Sequence, residues 1–226
     1  MIMTTITIDG PAGTGKSTVA KRLADALGFT YFDTGALYRA ISWQVLTTGI
    51  SHQDKEALAA LLKDFTFEIR MADGSKHYFV GATDVTKAIR TKEVTAIVSE
   101  VSALEEVREA LKPMQVNFSK ETDVVFEGRD LGTIVFPNAH LKFFLTARAE
   151  VRAERRFKEL QEKFPDQSFS YETILSEIKN RDAFDSSREL APLKQAEDAI
   201  LVDTSDITIE EVVEQMETEF HKRAKK

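Results

Sequence analysis

The 226-residue chain contains no cysteine. That absence excludes a disulfide framework, a thiolate zinc site and a cysteine nucleophile, and it is what a protein of a reducing compartment allows. Any chemistry is left to oxygen and nitrogen groups. Long apolar runs are missing as well: no window approaches the ~18 to 20 consecutive apolar residues of a spanning helix, and Phe143, Phe144 and Leu145 form one of the longer stretches. The opening MIMTTITIDG has neither a basic leader nor a long hydrophobic run and carries a charge at Asp9, so it does not read as a signal peptide. The expected location is the cytoplasm. Positive charge is not in excess, with 30 Lys+Arg against 37 Asp+Glu and a net charge of -7. Broad electrostatic binding to nucleic acid or anionic membrane is therefore not expected, although clustered arginines can still form a local anion site. The basic HKRAKK end is expected to be a solvated, frayed terminus rather than a membrane anchor. Internal repeats and low-complexity segments are also lacking.

What is present suits one core domain with an insertion, or two small domains. In Thr4–Asp9, Ile6 and Ile8 alternate with Thr5 and Thr7, and the run breaks at Gly10, Pro11 and Gly13 as a strand entering a loop does. From Lys16 onward Val19, Ala20, Leu23, Ala24 and Leu27 recur at helical spacing, and Gly28 stands where a C-terminal cap is expected. Further strands are predicted at Thr30–Phe32, Val124–Phe126, Leu141–Leu145 and Ile200–Val202. Strands alternating with helices predict an α/β fold with a parallel sheet. Several strands end on polar residues, namely Asp9, Asp33, Glu127 and Asp203. Open parallel sheets place ligands beyond the carboxyl ends of their strands, so the site is expected along that edge.

One stretch breaks the alternation. Phe65, Phe67, Ile69 and Met71 alternate with polar residues, Ala72-Asp73-Gly74-Ser75 reads as a turn, and His77–Val80 continues as a second strand. This antiparallel hairpin marks about residues 63–92 as a small insertion standing off the main sheet. Beyond it, Ser102-Ala103-Leu104-Glu105 fits a capping box, Val107, Leu111, Met114 and Phe118 supply a buried stripe, and Pro113 is expected to kink or break the helix. Two more helices are predicted at about Ala149–Lys163 and Tyr171–Ser187, with Phe164-Pro165-Asp166 between them.

Gly10-Pro11-Ala12-Gly13-Thr14-Gly15-Lys16-Ser17 matches G-x-x-x-x-G-K-[ST] at every fixed position, after a predicted strand and before a predicted helix. The glycines let backbone N–H groups curl around a β-phosphate, and the helix N-terminus adds a positive dipole end. Lys16 is placed to reach the β- and γ-phosphates and Ser17 to ligate Mg²⁺. ATP or GTP binding follows, but kinases, GTPases, motors and regulators share such a loop. No Asn-Lys-x-Asp guanine motif is found.

The arginines supply a second signal, because phosphoryl transfer between two anions needs cations to hold both and to neutralise charge on the moving group. Arg39 follows the second predicted strand and Arg129 the third; Arg152, Arg155 and Arg156 lie in the helix after the fourth, with Arg181 and Arg188 beyond. Taken singly, Arg152 reads as a solvated helix side chain. Arg129 follows Gly128 at the carboxyl end of a buried-type strand, where a charge has little structural reason to stand unless it meets a ligand. Arg181, Asp185 and Arg188 fall at i, i+4 and i+7 on one helical face. That face suits phosphate and ribose, or equally an ordinary salt-bridged surface.

Together these motifs resemble the bacterial cytidylate kinases, within the P-loop nucleoside monophosphate kinases. The resemblance is carried by ITIDGPAGTGKST (Ile6–Thr18), FDTGALYRA (Phe32–Ala40), the hairpin insertion, IRTKEV (Ile89–Val94), VREAL (Val107–Leu111), GRDLGTIVFP (Gly128–Pro137) and APL (Ala191–Leu193). It implies a three-layer P-loop α/β fold with a five-stranded parallel sheet, an inserted monophosphate-binding subdomain with a β-hairpin, and a short helical lid. Within a single unit over 1–226, the monophosphate-binding region would cover about 36–117 and the lid about 149–166. It implies a cytoplasmic, monomeric kinase of pyrimidine metabolism that moves the γ-phosphate of Mg·ATP to CMP or dCMP, with no nucleic-acid or membrane partner.

By the same resemblance, Gly10, Pro11, Ala12, Gly13, Thr14, Gly15, Lys16, Ser17 and Thr18 bind ATP and Ser17 holds the Mg²⁺. Arg152, Arg155 and Arg156 resemble the mobile lid, with Arg155 and Arg156 on ATP. Arg39, Arg129 and Arg188 grip the CMP phosphate with Thr34 nearby; Ser99, Arg108 and Asp130 read cytosine; Asp185 and Arg181 contact ribose. Lys16, Arg129, Arg155 and Arg188 form the catalytic set. The family often has Asp where this chain has Glu127, and Ser where it has Thr34; both keep the functional group. No dedicated general base is evident, and in-line transfer between oriented phosphates does not require one.

Overall fold

The computed structural model describes residues 3–72 and 74–224. Asp73 of the predicted turn and the last two lysines of the basic end lie outside the described residues. In chain order the elements are β1 (Thr5–Asp9), α1 (Lys16–Leu27), β2 (Thr30–Asp33), α2 (Thr34–Thr48), α3 (Lys55–Lys63), β3 (Phe67–Ala72), β4 (Ser75–Val80), β5 (Thr83–Asp84), α4 (Lys92–Val101), α5 (Glu105–Glu121), β6 (Val124–Glu127), β7 (Leu141–Thr146), α6 (Ala149–Lys163), α7 (Tyr171–Ser187), β8 (Ile200–Asp203) and α8 (Ile209–Ala224). A short 3₁₀ turn covers Ala88–Arg90 and a single π turn Leu131–Val135. The chain forms two compact units, one made of the residues up to Phe32 and from Val116 onward, the other Asp33–Gln115.

The first unit is built on five strands in the order β2-β6-β1-β7-β8. β1 is central and pairs in parallel with β6 (Ile8 opposite Glu127) and with β7 (Asp9 opposite Phe144), while β7 pairs in parallel with β8 (Thr146 opposite Asp203). All five residues of β1 are buried, because helices or loops cover both faces of a central parallel strand. Ile6 and Ile8 pack with Val19, Ala20 and Leu23 of α1 and with Val212 and Met216 of α8. Burying each such large side chain contributes about 1.5–3 kcal/mol. α1 stops where predicted: Gly28 adopts a left-handed φ of 69° and its N–H bonds the carbonyls of Ala24 and Asp25.

The predicted strands each run one residue further, to Asp33, Glu127, Thr146 and Asp203. The backbone ladder continues through a residue whose polar side chain has already left the apolar core. α6 and α7 have the predicted limits, and they pack together through Ala153, Ile174 and Ile178 with Phe157, Leu160 and Leu175. The basic end is solvated as expected but not frayed as far as Ala224: His221, Lys222 and Arg223 are exposed in the last turn of α8, where cations suit the helix dipole, and Arg223 Nη1 donates to the carbonyl of His140 at 3.1 Å. Among the described residues no helix is long and apolar enough to cross a membrane.

The second unit contains the predicted hairpin, with Phe67 opposite Val80 and Ala72 opposite Ser75, and β5 adds a short third strand beside β4. One expectation fails here, and of the kink or break expected at Pro113 the break does not occur. The capping box at Ser102 gives way to a break between helices: Ser102 closes α4, its hydroxyl donating to the carbonyl of Ser99 at 3.1 Å, and α5 begins at Glu105. Pro113 does not end α5, which continues to Glu121. Both Pro113 and Glu109, whose carbonyl loses its donor, lie on the exposed side where water substitutes for the missing bond.

Candidate active site

The phosphate-binding loop joins β1 to α1. Gly10 has φ 143°, and a Cβ there would sit 2.0 Å from the carbonyl oxygen of Leu145, so no other residue fits this approach. Thr14 is buried and its hydroxyl donates to the carbonyl of Pro11 at 3.1 Å. Lys16 is buried too, and its Nζ donates to that carbonyl at 2.6 Å. Burial first, then the neighbouring Arg129, pushes the Lys16 ammonium well below the ordinary lysine range, with Arg181 acting the same way and Glu127 and Asp9 opposing. An anion brought to this loop reverses that shift. Ser17 and Thr18 lie exposed in the first turn of α1.

Ser17 Oγ donates to Glu127 Oε2 at 2.8 Å, and Tyr31 donates its phenolic hydrogen to Glu127 Oε1 at 2.5 Å. A hydroxyl and a carboxylate side by side make a hard oxygen set that fits Mg²⁺. This ion is usually held by one or two carboxylates plus substrate phosphates, rather than by an all-protein cage. Among the described residues no group of three or more His, Asp or Glu side chains able to hold a metal is found.

Beside the loop lies a cavity of about 230 Å³ lined by Thr14, Val19, Arg155, Thr204, Ile207 and Val212, among others. Thr204 organises its polar rim. Its hydroxyl donates to the carbonyls of Thr14 (3.0 Å) and Thr146 (3.2 Å), and its own carbonyl accepts from Arg155 Nη2 at 2.5 Å.

The i, i+4, i+7 face of α7 closes on one carboxylate. Asp185 is 2% exposed. Its Oδ1 accepts from Arg188 Nη2 at 2.5 Å, and its Oδ2 lies 3.4 Å from Arg129 Nε and 3.8 Å from Arg181 Nε. Three guanidinium groups thus share a single negative charge. Arg181 is pushed down to about 10, first by burial and then by Arg129, and its Nε is buried with no hydrogen bond among the described residues. Even with Asp182 also acting on Arg181, guanidinium groups outnumber the carboxylates named here, which an ordinary salt-bridged surface does not show.

The three α6 arginines separate. Arg152, expected to be solvated, is 5% exposed and fully engaged. Its Nε donates to the carbonyl of Ala147 (2.9 Å), Nη1 to that of Ala12 in the loop (3.0 Å), and Nη2 to Asp182 Oδ2 (2.6 Å). The reason is position: the start of α6 runs beneath the loop, and a Cβ on Gly13 would fall 3.2 Å from Arg152 Cβ. Arg155 turns to Thr204, as above. Arg156 stays at the surface, paired with Glu159 at 2.7 Å.

Arg129 and Asp130 stand directly after β6, and Asp130 is buried. The turn that follows is held by Asp9, whose two carboxylate oxygens accept from the N–H groups of Leu131 (2.9 Å) and Gly132 (2.7 Å).

In the Asp33–Gln115 unit, Asp33 caps α2 by accepting from the N–H of Ala36 at 2.9 Å and accepts from Arg90 Nη2 at 2.6 Å. Thr34 is buried at the first residue of α2. Arg39 Nη1 donates to the carbonyl of Ile89 (3.2 Å) and to Thr95 Oγ1 (2.9 Å). Ser99 lies on α4, and Arg108 on α5 donates to the carbonyl of Ser102 at 3.1 Å with its guanidinium 5.7 Å from the Tyr38 ring centroid.

Sequence reasoning left several residues out of the site. Glu127 was visible as a carboxylate ending a strand, and Asp9 likewise. Tyr31 and Thr204 carry no motif, and their roles exist only through partners 96 and 190 positions away. Asp203, also a strand end, accepts from the N–H of Ser205 at 2.8 Å in an exposed turn and takes no part.

A family model described as cytidylate kinase matches residues 6–222 of the chain. The chain is 52% identical over 210 residues to a cytidylate kinase of Protochlamydia amoebophila, covering 92% of each. It is 47% identical over 220 residues to one of Caldicellulosiruptor bescii, covering 97% of this chain and 96% of the relative. Among solved structures, an uncharacterized protein from Eubacterium ventriosum aligns with a TM-score of 0.50 at 13% identity, over 97% of this chain and 99% of that one, a likeness of fold alone.

Proposed function

The chain belongs to the cytidylate kinase family, and we propose that it transfers the γ-phosphate of ATP to CMP or dCMP, giving ADP and CDP or dCDP, in pyrimidine nucleotide metabolism. The observation that carries this reading is the surplus of cations around Asp185, with Arg129 and Arg181 also acting on Lys16 of the loop. A second phosphate beside that of ATP is what such an arrangement favours. The acceptor's phosphate oxygen attacks the γ-phosphorus, the bond from that phosphorus to the β,γ-bridging oxygen breaks, and ADP leaves with the electron pair.

Each residue has a chemical part in this. The loop from Gly10 to Thr18 and Lys16 hold the ATP phosphates, and the cavity beside Thr14 accepts the adenine between Val19, Ile207 and Val212, with Thr204 and Arg155 at its polar rim. Ser17 and Glu127 would hold the Mg²⁺, which when bound neutralises charge on the β- and γ-phosphate oxygens. The acceptor phosphate is assigned to Arg129 and Arg188, and Arg39 and Thr34 carry the same assignment. Asp185 and Arg181 bind the ribose. Asp130 accepts from the cytosine N4 amino group, while Arg108 and Ser99 donate to its acceptors; uracil turns a carbonyl toward Asp130 instead. Arg155 and Arg156 belong to a lid over about 149–166 that closes on ATP and excludes water. We take the acting species to be a cytoplasmic monomer that binds nucleotides rather than nucleic acid or membrane.

A coupled ADP-release assay with Mg·ATP and each monophosphate tests this. CMP is expected to exceed UMP and AMP in kcat/KM by at least about tenfold, equivalent to about 1.4 kcal/mol. Equal turnover of UMP sinks the assignment of Asp130.

A further inference from the structure

Asp9 has no part in the chemistry just described, yet it is a 4% exposed carboxylate between the central strand and the phosphate loop. Both of its oxygens are used. They accept from two successive backbone N–H groups, Leu131 and Gly132, at 2.9 and 2.7 Å, which open the π turn directly after Arg129 and Asp130. Without Asp9 those N–H groups have no partner of the turn's own, as at any helix start. A second bond ties the same two strands: the N–H of Gly128 donates to the carbonyl of Ile8 at 3.0 Å.

The turn is closely seated on β1. A Cβ on Gly132 would fall 3.1 Å from Lys142 Cδ, 3.3 Å from Thr7 Oγ1 and 3.4 Å from Asp9 Oδ2. A bidentate carboxylate and a close-packed glycine facing it leave the backbone of Arg129–Gly132 little freedom.

We infer that Asp9 is a positioning residue for the acceptor nucleotide: its carboxylate, fixed by the strand that ends in the phosphate loop, sets the turn from which Arg129 and Asp130 reach the acceptor. The inference rests on the acceptor roles proposed above for Arg129 and Asp130. A stability role alone is a poor account of the carboxylate. Burial pushes Asp9 up to about 6, with the N–H groups of Gly132 and Leu131 opposing, Asp130 adding to the rise and Lys16 reducing it. A neutral side chain would satisfy one N–H without that cost, whereas only a carboxylate accepts from both in one plane.

The test uses the full-length chain and three variants, with kcat and KM measured for the acceptor and for ATP, a fluorescent ATP analogue titrated directly, and a thermal melt of each. Asp9→Asn turns an NH₂ toward one of the two N–H groups. It is expected to raise the acceptor KM, and to lower the preference for CMP over UMP, by about tenfold, as a shift of around an ångström in a binding group does. ATP-analogue affinity should stay within about twofold, and the melt should not drop. Gly132→Ala crowds the same turn against Thr7, Lys142 and the Asp9 carboxylate and should move the same two parameters, which keeps the question open to measurement if Asp9→Asn folds poorly. Thr7→Val removes a buried hydroxyl that has no hydrogen bond among the described residues and should leave all kinetic parameters at wild-type values.

Unchanged acceptor KM and selectivity in both Asp9→Asn and Gly132→Ala overturn the inference. So does an equal loss of ATP-analogue binding, which would make Asp9 a support of the phosphate loop or of the fold at large. Wild-type turnover of CMP judges the acceptor assignment separately, because each variant is compared with wild type on whichever monophosphate the wild type prefers.

Discussion

Replacing Asp185 by Asn removes the carboxylate on which Arg129, Arg181 and Arg188 meet while keeping the shape of the side chain. The largest loss comes from Arg188, because both partners are buried, with side-chain exposures of 7% and 3%, and their polar atoms meet at 2.5 Å. Removing one member of a buried pair costs about 3–5 kcal/mol. The Asn carbonyl still accepts from Arg188, which places the expected loss near the lower figure. Arg129 and Arg181, at 3.4 and 3.8 Å and more exposed, add less than about 1 kcal/mol. A loss of about 3 kcal/mol in a chain of this size lowers Tm by about 6–12 °C.

A second arm separates this charge argument from simple loss of packing. With its carboxylate neutralised the cluster gains one unit of positive charge, so sulfate should bind it more tightly and restore part of the lost Tm, while the wild type gains less. Differential scanning calorimetry with and without sulfate, at constant ionic strength, reads both effects. A variant that melts within about 2 °C of wild type and gains no more from sulfate than wild type does would refute the reading of Asp185 as the counter-charge of an anion site.

Other outcomes follow from the same geometry. Arg129→Ala should lower kcat/KM for CMP by about 10³-fold or more while leaving ATP-analogue binding largely intact, since an arginine on the transferring group is worth that much; loss of the folded circular dichroism spectrum would instead mark a structural residue. Thr204→Val removes the hydroxyl that bonds Thr14 and Thr146 and should raise the KM for ATP by about tenfold with little change for CMP, because the cost of an unmade buried hydrogen bond is about 1–3 kcal/mol. Asp9 makes a pH prediction. Its folded value of about 6 lies above the ordinary aspartate value of 3.8, so its contribution to stability is fully present below pH 3.8 and lost as pH rises through about 6. Between those limits wild type should lose stability relative to Asp9→Asn, by about 3 kcal/mol in all. Urea unfolding of both proteins across pH 4–7 measures the difference, and parallel curves contradict it.

The parts of this protein that were legible in sequence are those governed by near neighbours. The loop at Gly10–Ser17, the stop of α1 at Gly28, the limits of α6 and α7 and the β3–β4 hairpin each follow from side-chain spacing, a left-handed φ or a turn within a few residues. Where local signals misled, tertiary surroundings overrode them. Ser102 has the pattern of a helix start but closes α4, and Pro113 sits inside α5 because the carbonyl it leaves unbonded faces water.

Side-chain electrostatics belongs to the other category. Arg152 and Arg156 are one helical turn apart and indistinguishable by type, yet one is buried under the loop and the other pairs with Glu159 at the surface. Asp9 and Asp203 both end parallel strands, yet only Asp9 receives a turn from 122 positions along the chain. Sequence alone determined the order of the elements, the phosphate loop and the excess of arginines after the strands, because these depend on residue type and short spacing. Only the tertiary structure decided which of those charges share a carboxylate, which are desolvated and which are merely solvated, because desolvation and Coulomb interaction depend on atoms that the fold, and not the chain order, brings within a few ångströms.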